Sequence, residues 1–448
     1  MIEIFPIGGY SKVEGNSILI KVDNDSVILD MGLTMDSYVQ FQNSNQNSNS
    51  NTYYDELLKV DAVPDYYSVQ EHLDTVRAII PSHAHLDHVG AIPYGAKFFK
   101  NIEILGTPYT IAFLKKEIKN TGFSRYFKNN KISLKAFELN SKYKVSNKIT
   151  VEFIEVTHSI PDSAILAIHT PYGVVLYAVD YKFDEQPQLG NPPNYRRLKE
   201  LGKEGVKCLI LESLYADYDI ETPSEEDVKN EMLNIFSNLD TTNKTIITST
   251  FSSHIVRLKT LVDTGHKLGR KVCLLGRSLN THSSLARELN ITDLKSGTTI
   301  VSRFEEINNL LENVYADRDK YFLICTGHQG EEFSVLSRIL DNWFDFSFSK
   351  DDIMLFSSSV IPTELNQASF SELESKMRKK GLNIIKDVHA SGHAGLKEHK
   401  KMLNMVNPEF IIPAHAGHDK AIYIKNLSDS MSVGETILTQ NGDHIKLV

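Results

Sequence analysis

Five short apolar runs between Val76 and His415 each stop at a residue that can bind a metal ion or move a proton. They are VRAIIPSHAHLDH (His83, His85, Asp87, His88), VEFIEVTH (His158), GVVLYAVD (Asp180), VKCLILE (Glu212) and PEFIIPAH (His415). Short apolar runs of this kind read as buried strands. Ligands of α/β sheets gather beyond strand C-termini. The chain must therefore fold so that strands remote in sequence end side by side, with residue 415 brought back to the site begun at residue 83.

The first half alternates β-rich runs with turns, at Ile2–Phe5, Ser17–Val22, Ser26–Asp30 and Val76–Pro81. A polar insert, Asn43–Thr52, is expected to be a surface loop. From about Lys207 the rhythm becomes strand, small-residue turn, helix, which predicts a mainly parallel sheet. Three cysteines, Cys208, Cys273 and Cys325, lie in apolar runs and read as reduced thiols. With no apolar run long enough to span a bilayer and no signal-peptide pattern, a cytoplasmic protein with no membrane partner is expected.

The segment His83-Ala-His85-Leu-Asp87-His88 is the sharpest chemical signal. Two histidines two residues apart share a face and can pinch one ion, while Asp87 and His88 point elsewhere and can hold a second. Imidazole nitrogen and carboxylate oxygen suit zinc. Four turns between strand and helix carry a second signal: Thr250–Ser253, Gly276–Ser278, Thr326–Gly330 and Ser357–Ser359. Hydroxyls, free backbone N–H groups and helix N-termini at such turns suit phosphate. Ser252, Ser253, Gln329, Gly330, Ser357, Ser358 and Ser359 are thus candidate phosphate contacts, and Arg257 and Arg277 are each either a further contact or part of a fold-stabilising salt bridge.

The HxHxDH run resembles the metallo-β-lactamase family. That resemblance implies an αββα sandwich and two Zn2+ per chain, with Mn2+ or Mg2+ as alternatives. It also implies a ligand set of His83, His85 and His158 for one ion, Asp87, His88 and His415 for the other, and Asp180 bridging both. Glu212 in LILESLYAD, His393 in HASGHAG and His415 in IIPAHAG resemble the three motifs of the β-CASP branch. IITSTFSSHIVRL, LLGRSL, TGHQGEE and LFSSSVIP look like ribonuclease J, and the 33 residues after His415 match its shorter, archaeal type. This implies that His393 donates a proton to the leaving oxygen, oriented by Glu212, with Asp87 also in the catalytic set. The resemblance is departed from at GGYSKVEGN, at His328 and at Ala416, none of them an expected ligand.

An inserted α/β domain is accordingly expected at 214–359, between metallo-β-lactamase parts at 1–213 and 360–448. The expected activity is hydrolysis of single-stranded RNA, chiefly from a 5′-monophosphate end held by Ser391, Gly392 and the serine turn, with internal cutting as a second activity. A strictly endonucleolytic processing enzyme and an inactive RNA-binding scaffold are the alternatives, and a homodimer is compatible with either. The formal charge of −9 does not favour nucleic acid. Basic clusters at Lys115–Lys119, Arg196–Lys199 and Lys376–Lys380, and any bound cations, offset it locally.

Overall fold

The computed structural model describes residues 1–44, 53–361 and 363–447. Apart from Asn43 and Ser44, which end the helix Met35–Ser44, the polar insert lies outside the described residues.

Side chains alternate between the two faces of a strand, and here both faces are buried. Cys208 and Ile210 of the strand Val206–Glu212 enter one core, while Leu209 and Leu211 enter another. Ile18, Ile20 and Val22 likewise face away from Leu19. Strands patterned this way need a layer on each side, and two stacked sheets flanked by helices supply it.

The first seven-stranded sheet runs Ile445–Leu447, Ile2–Gly8, Ser17–Val22, Asp25–Leu29, Val76–Ile80, Glu103–Gly106, Ser133–Ala136. The second runs Glu435–Thr436, Phe410–Ala414, Val206–Glu212, Gly173–Ala178, Ala164–Thr170, Thr150–Glu155, Ser141–Lys144. Both chain ends enter this sandwich. Ile2 pairs with Leu447, and Glu212 pairs in parallel with Ala414, which sets Glu212 beside the end of the strand leading to His415. The outer face of the second sheet is covered by Tyr195–Glu204, Leu396–Val406 and His418–Met431.

A third, all-parallel sheet is ordered Thr298–Val301, Lys271–Leu275, Tyr321–Cys325, Ile246–Ser249, Ile353–Phe356, Asn383–Ile385. All four serine- and glycine-bearing turns leave C-terminal ends of its strands. The last of these strands, and the helix Glu364–Lys379 before it, pack on this sheet rather than on the sandwich. The motif spacing had suggested a return at 360. We propose that it lies after Ile385, because Leu373, Met377 and Leu382 bury into the inserted core. Two helices here, Arg277–Glu288 and Glu364–Lys379, begin with polar first turns that hide the start of a helical pattern in the sequence.

Buried polar groups fasten the third sheet's domain to the sandwich. Glu225 accepts from Arg257 and pairs with Lys182, which sits two residues after Asp180. Glu398, fully buried, accepts backbone N–H groups of Phe183, Thr222 and Gly395. One carboxylate thus holds the Asp180 loop, the entry to the inserted domain and the loop of His393.

The histidine-rich loop is seated by close backbone packing. Met31 N donates to His88 O, Leu33 N to Leu86 O and Asn16 N to Asp87 O. A Cβ on Gly32 would fall 1.6 Å from Asp87 O. Gly32→Ala should therefore cost about 1–3 kcal/mol as an overpacking change, read as a lowered urea midpoint. An unchanged midpoint would contradict this packing.

Candidate metal centre

Asp30, Asp180 and His415 each follow a strand with φ between 53 and 57°, in the left-handed region. Such backbone is costly outside glycine. At these three positions it turns the chain off its strand at the sheet edge where the ligand-type side chains meet.

Ligand-type atoms of His83, His85, His158 and Asp180 form one group within 4.8 Å, and those of Asp87, His88, Asp180 and His415 form a second. Asp180 belongs to both. These are the two sets that the family resemblance implied.

The imidazoles are oriented from behind, which fixes which nitrogen faces inward. His88 Nδ1 donates to Asp30 Oδ2 at 2.7 Å, and His158 Nδ1 donates to Gly392 O at 2.7 Å. His415 Nδ1 donates to Asn16 Oδ1 at 3.0 Å. In His158 and His415 this leaves Nε2 with a lone pair aimed at the centre, and in His88 it does so when the ring is neutral. His85 is reversed: its Nε2 meets Ser253 Oγ at 3.3 Å, and its Nδ1 faces His83 Nε2 at 3.0 Å and His158 Nε2 at 3.1 Å.

The result is a concentration of acceptors. Burial holds His83, His85 and His158 below their ordinary range, and pushes His415 down to about 4, so these rings are neutral. His88 goes the other way: burial opposes its charge, but Asp180, Asp87 and Asp30 outweigh that and raise it. His415 Nε2 stands 3.2 Å from Asp180 Oδ1, a buried oxygen with no hydrogen-bond donor. Lone pairs facing one another at such distances are satisfied by cations, so the donor set fits divalent metal.

Beside the two groups, His393 Nδ1 donates to Glu212 Oε2 at 2.6 Å. Glu212 Oε1 accepts from the N–H groups of Tyr181 and Ala394. Both carboxylate oxygens are spent on N–H donors, which suits an orienting group rather than a ligand. Burial works against a charged His393, but Glu212 and Asp180 overcome it and lift it to about 9. Burial raises Glu212 as well. The pair therefore keeps a proton near neutrality, with His393 partly exposed toward the centre.

Several expected phosphate contacts are placed otherwise. Arg257 is 0% exposed and spends its guanidinium on Glu225, on Ser357 and on the Val388 and Ala390 carbonyls, so it stabilises the fold. Ser357 is buried and donates to Val388 O. The Gln329 amide bridges Ser359 O and Ile361 N. Gly330, at φ 80°, lies against Ser369 backbone. Ser358 is buried. A Cβ on Gly392 would fall 2.7 Å from the His158 ring, so this glycine is needed for that approach. Ser252, Ser359 and Ser391 retain exposed surface, and Arg277 stands exposed at the start of its helix.

Asp30 and Asn16 were not expected. Asp30 accepts from Ser82 N, Ser82 Oγ, Tyr177 Oη and His88, and is 0% exposed. The signal was present, since VILD is another apolar run ending in an acid. Asn16 lies in the GGYSKVEGN stretch, where only the departure from a pattern had been noticed.

The chain matches the Metallo-beta-lactamase superfamily model over residues 11–182 and the Ribonuclease J, beta-CASP domain over 243–373. Residues 382–437 match the Zn-dependent metallo-hydrolase RNA specificity domain. It is 36% identical to Ribonuclease J of Pyrococcus abyssi, over 100% of this chain and 97% of that protein. It is 37% identical to Ribonuclease J of Methanocaldococcus jannaschii, over 98% of each. Ribonuclease J 1 of Streptococcus pyogenes is 29% identical over 99% of this chain and 74% of its own length. A crystal structure of a protein of unknown function from Enterococcus faecalis shares the fold, with a TM-score of 0.63 at 18% identity and 99% of both chains covered. With a sandwich, an inserted parallel sheet and full-length relatives of one kind, the chain belongs to the ribonuclease J family, in the β-CASP branch of the metallo-β-lactamase superfamily.

Proposed function

We propose that this chain is a metal-dependent ribonuclease that uses two zinc ions, degrades RNA mainly from a 5′-monophosphate end, and works in the cytoplasm. The observation that carries the reading is the pair of ligand groups sharing Asp180, with the protonated His393–Glu212 pair alongside. Among the described residues no helix is long and apolar enough to cross a membrane.

In this reading His83, His85 and His158 would hold one ion, Asp87, His88 and His415 the other, and Asp180 would serve both. Two such ions supply activated water and a clamp for an in-line displacement at phosphorus. Asp30, Asn16 and the Gly392 carbonyl keep the imidazoles aimed. His393 gives its proton to the leaving oxygen, and Glu212 holds the ring in place and stabilises its charge. Ser253, bonded to His85, ties the inserted domain to the first ion's ligands. Ser391, whose hydroxyl accepts from His393 N, and Ser359 meet at the Tyr215 hydroxyl. That polar corner beside His393 suits a terminal monophosphate.

His393→Ala should slow cleavage of a labelled RNA by about 10²–10⁴-fold while elemental analysis finds the parental metal content. Loss of half the metal would make His393 a ligand instead. Glu212→Gln should fall in the same direction, since a neutral amide no longer supports the imidazolium.

On matched 5′-labelled and 3′-labelled RNA, the 5′-monophosphate form should disappear faster than the 5′-triphosphate form and release mononucleotides. Equal rates with internal fragments appearing first would favour a strictly endonucleolytic enzyme. RNA binding without turnover by the metal-loaded protein would favour the scaffold alternative.

A further inference from the structure

We infer that Phe333, Arg338 and Trp343 form a landing surface for single-stranded RNA on the inserted domain, apart from the metal centre; this rests on the ribonuclease reading above. Among the described non-glycine residues with left-handed backbone, Phe333 (φ 63°) is the one apolar residue; the others are Asn, Asp, His, Lys and Ser. A bulky side chain is strained there. Burial does not compensate, because Phe333 is 41% exposed. Strain kept without a packing reward points to use of the side chain itself.

Its ring lies 6.1 Å from that of Trp343, at 65° to it, and Trp343 is 49% exposed. The Arg338 guanidinium stands 5.4 Å over the indole, and its Nε has no hydrogen-bond partner. On the neighbouring helix and its end, Lys376 pairs with Asp341 and Glu372 and Lys380 donates to Asn342 Oδ1, so cations lie beside the two residues that precede Trp343. Of the nearby acids, Asp341 is neutralised by Lys376, Asp345 accepts from Asn308, and Glu331 accepts from Gln329 N. Glu332 stays exposed at the rim. Exposed aromatic faces among cations suit stacked bases and backbone phosphates.

The surface is also continuous with the metal centre. His328 and Gln329 precede Phe333 in the same loop; His328 packs 4.0 Å from Phe251, and Gln329 donates to Ser359 O. Phe251 leads directly to Ser253, which touches His85. RNA lying over Phe333 and Trp343 would thus reach the cleavage site along the strand-end turns.

Trp343 is the single tryptophan of the chain, so emission excited at the red edge, where tyrosine does not absorb, reads this surface alone. With chelator-treated protein, a 5′-monophosphate oligouridylate of 16 nucleotides should quench Trp343, and one of four nucleotides should not. Phe333→Gly relieves the backbone, so its melting temperature should equal or exceed the parent's. Its affinity for the 16-mer should nevertheless fall about five- to tenfold, the loss expected for one stacked base, with tetramer affinity unmoved. Unchanged emission while anisotropy of a labelled 16-mer reports binding would overturn the inference. So would emission that follows protein concentration rather than RNA, which would assign the surface to a second copy of the chain. Absence of binding by either RNA in anisotropy would defeat the ribonuclease reading first, and this inference with it.

Discussion

The buried Asp180 carboxylate is the group on which the rest of the structure depends. Its oxygens face His83, His88, His158 and His415 at 3.2–3.5 Å, from three separate segments of the chain. A buried charge is expensive unless paired, so the site needs all three segments to reach Asp180 together with compensating charge. That requirement explains the topology. The strand carrying His415 must cross back beside Val206–Glu212, and the final strand closes on Ile2–Gly8. The left-handed turns at Asp30, Asp180 and His415 are the local cost of that convergence.

The same economy governs the junction between domains. Glu225, Arg257 and Lys182 are buried together, and Glu398 collects three backbone donors from three segments. Removing one partner of such a cluster leaves an uncompensated charge. The inserted sheet is therefore fixed to the sandwich, with its Ser253 turn reaching His85, rather than tethered loosely beside it. A fixed junction suits cutting RNA at a defined phosphate.

Much of this was legible in the sequence because the chemistry is concentrated at strand ends. The HxHxDH run, Asp180, Glu212 and His415 all follow apolar runs, and all meet as expected. What stayed hidden was direction and burial. Ser357 and Gln329 occupy turns that look suited to phosphate, and Arg257 the first turn of a helix after one, yet their polar atoms point into the fold, and spacing alone does not say which way a side chain points. The proposal of a boundary after Ile385 rather than at 360 has a related origin: the helix Glu364–Lys379 has few buried residues, so its allegiance to the third sheet shows only in packing. Asp30 was missed although it follows the same strand-end rule, because a lone aspartate near a turn is usually a turn residue.

The central claim is that seven side chains hold two ions with Asp180 shared between them. Crystals of zinc-loaded protein, with anomalous difference maps collected above and below the zinc edge, test it most directly. The account predicts two peaks flanking Asp180, one among His83, His85 and His158 and one among Asp87, His88 and His415, with no peak between Glu212 and His393. A single peak, or a peak held by Glu212 and His393, would contradict it.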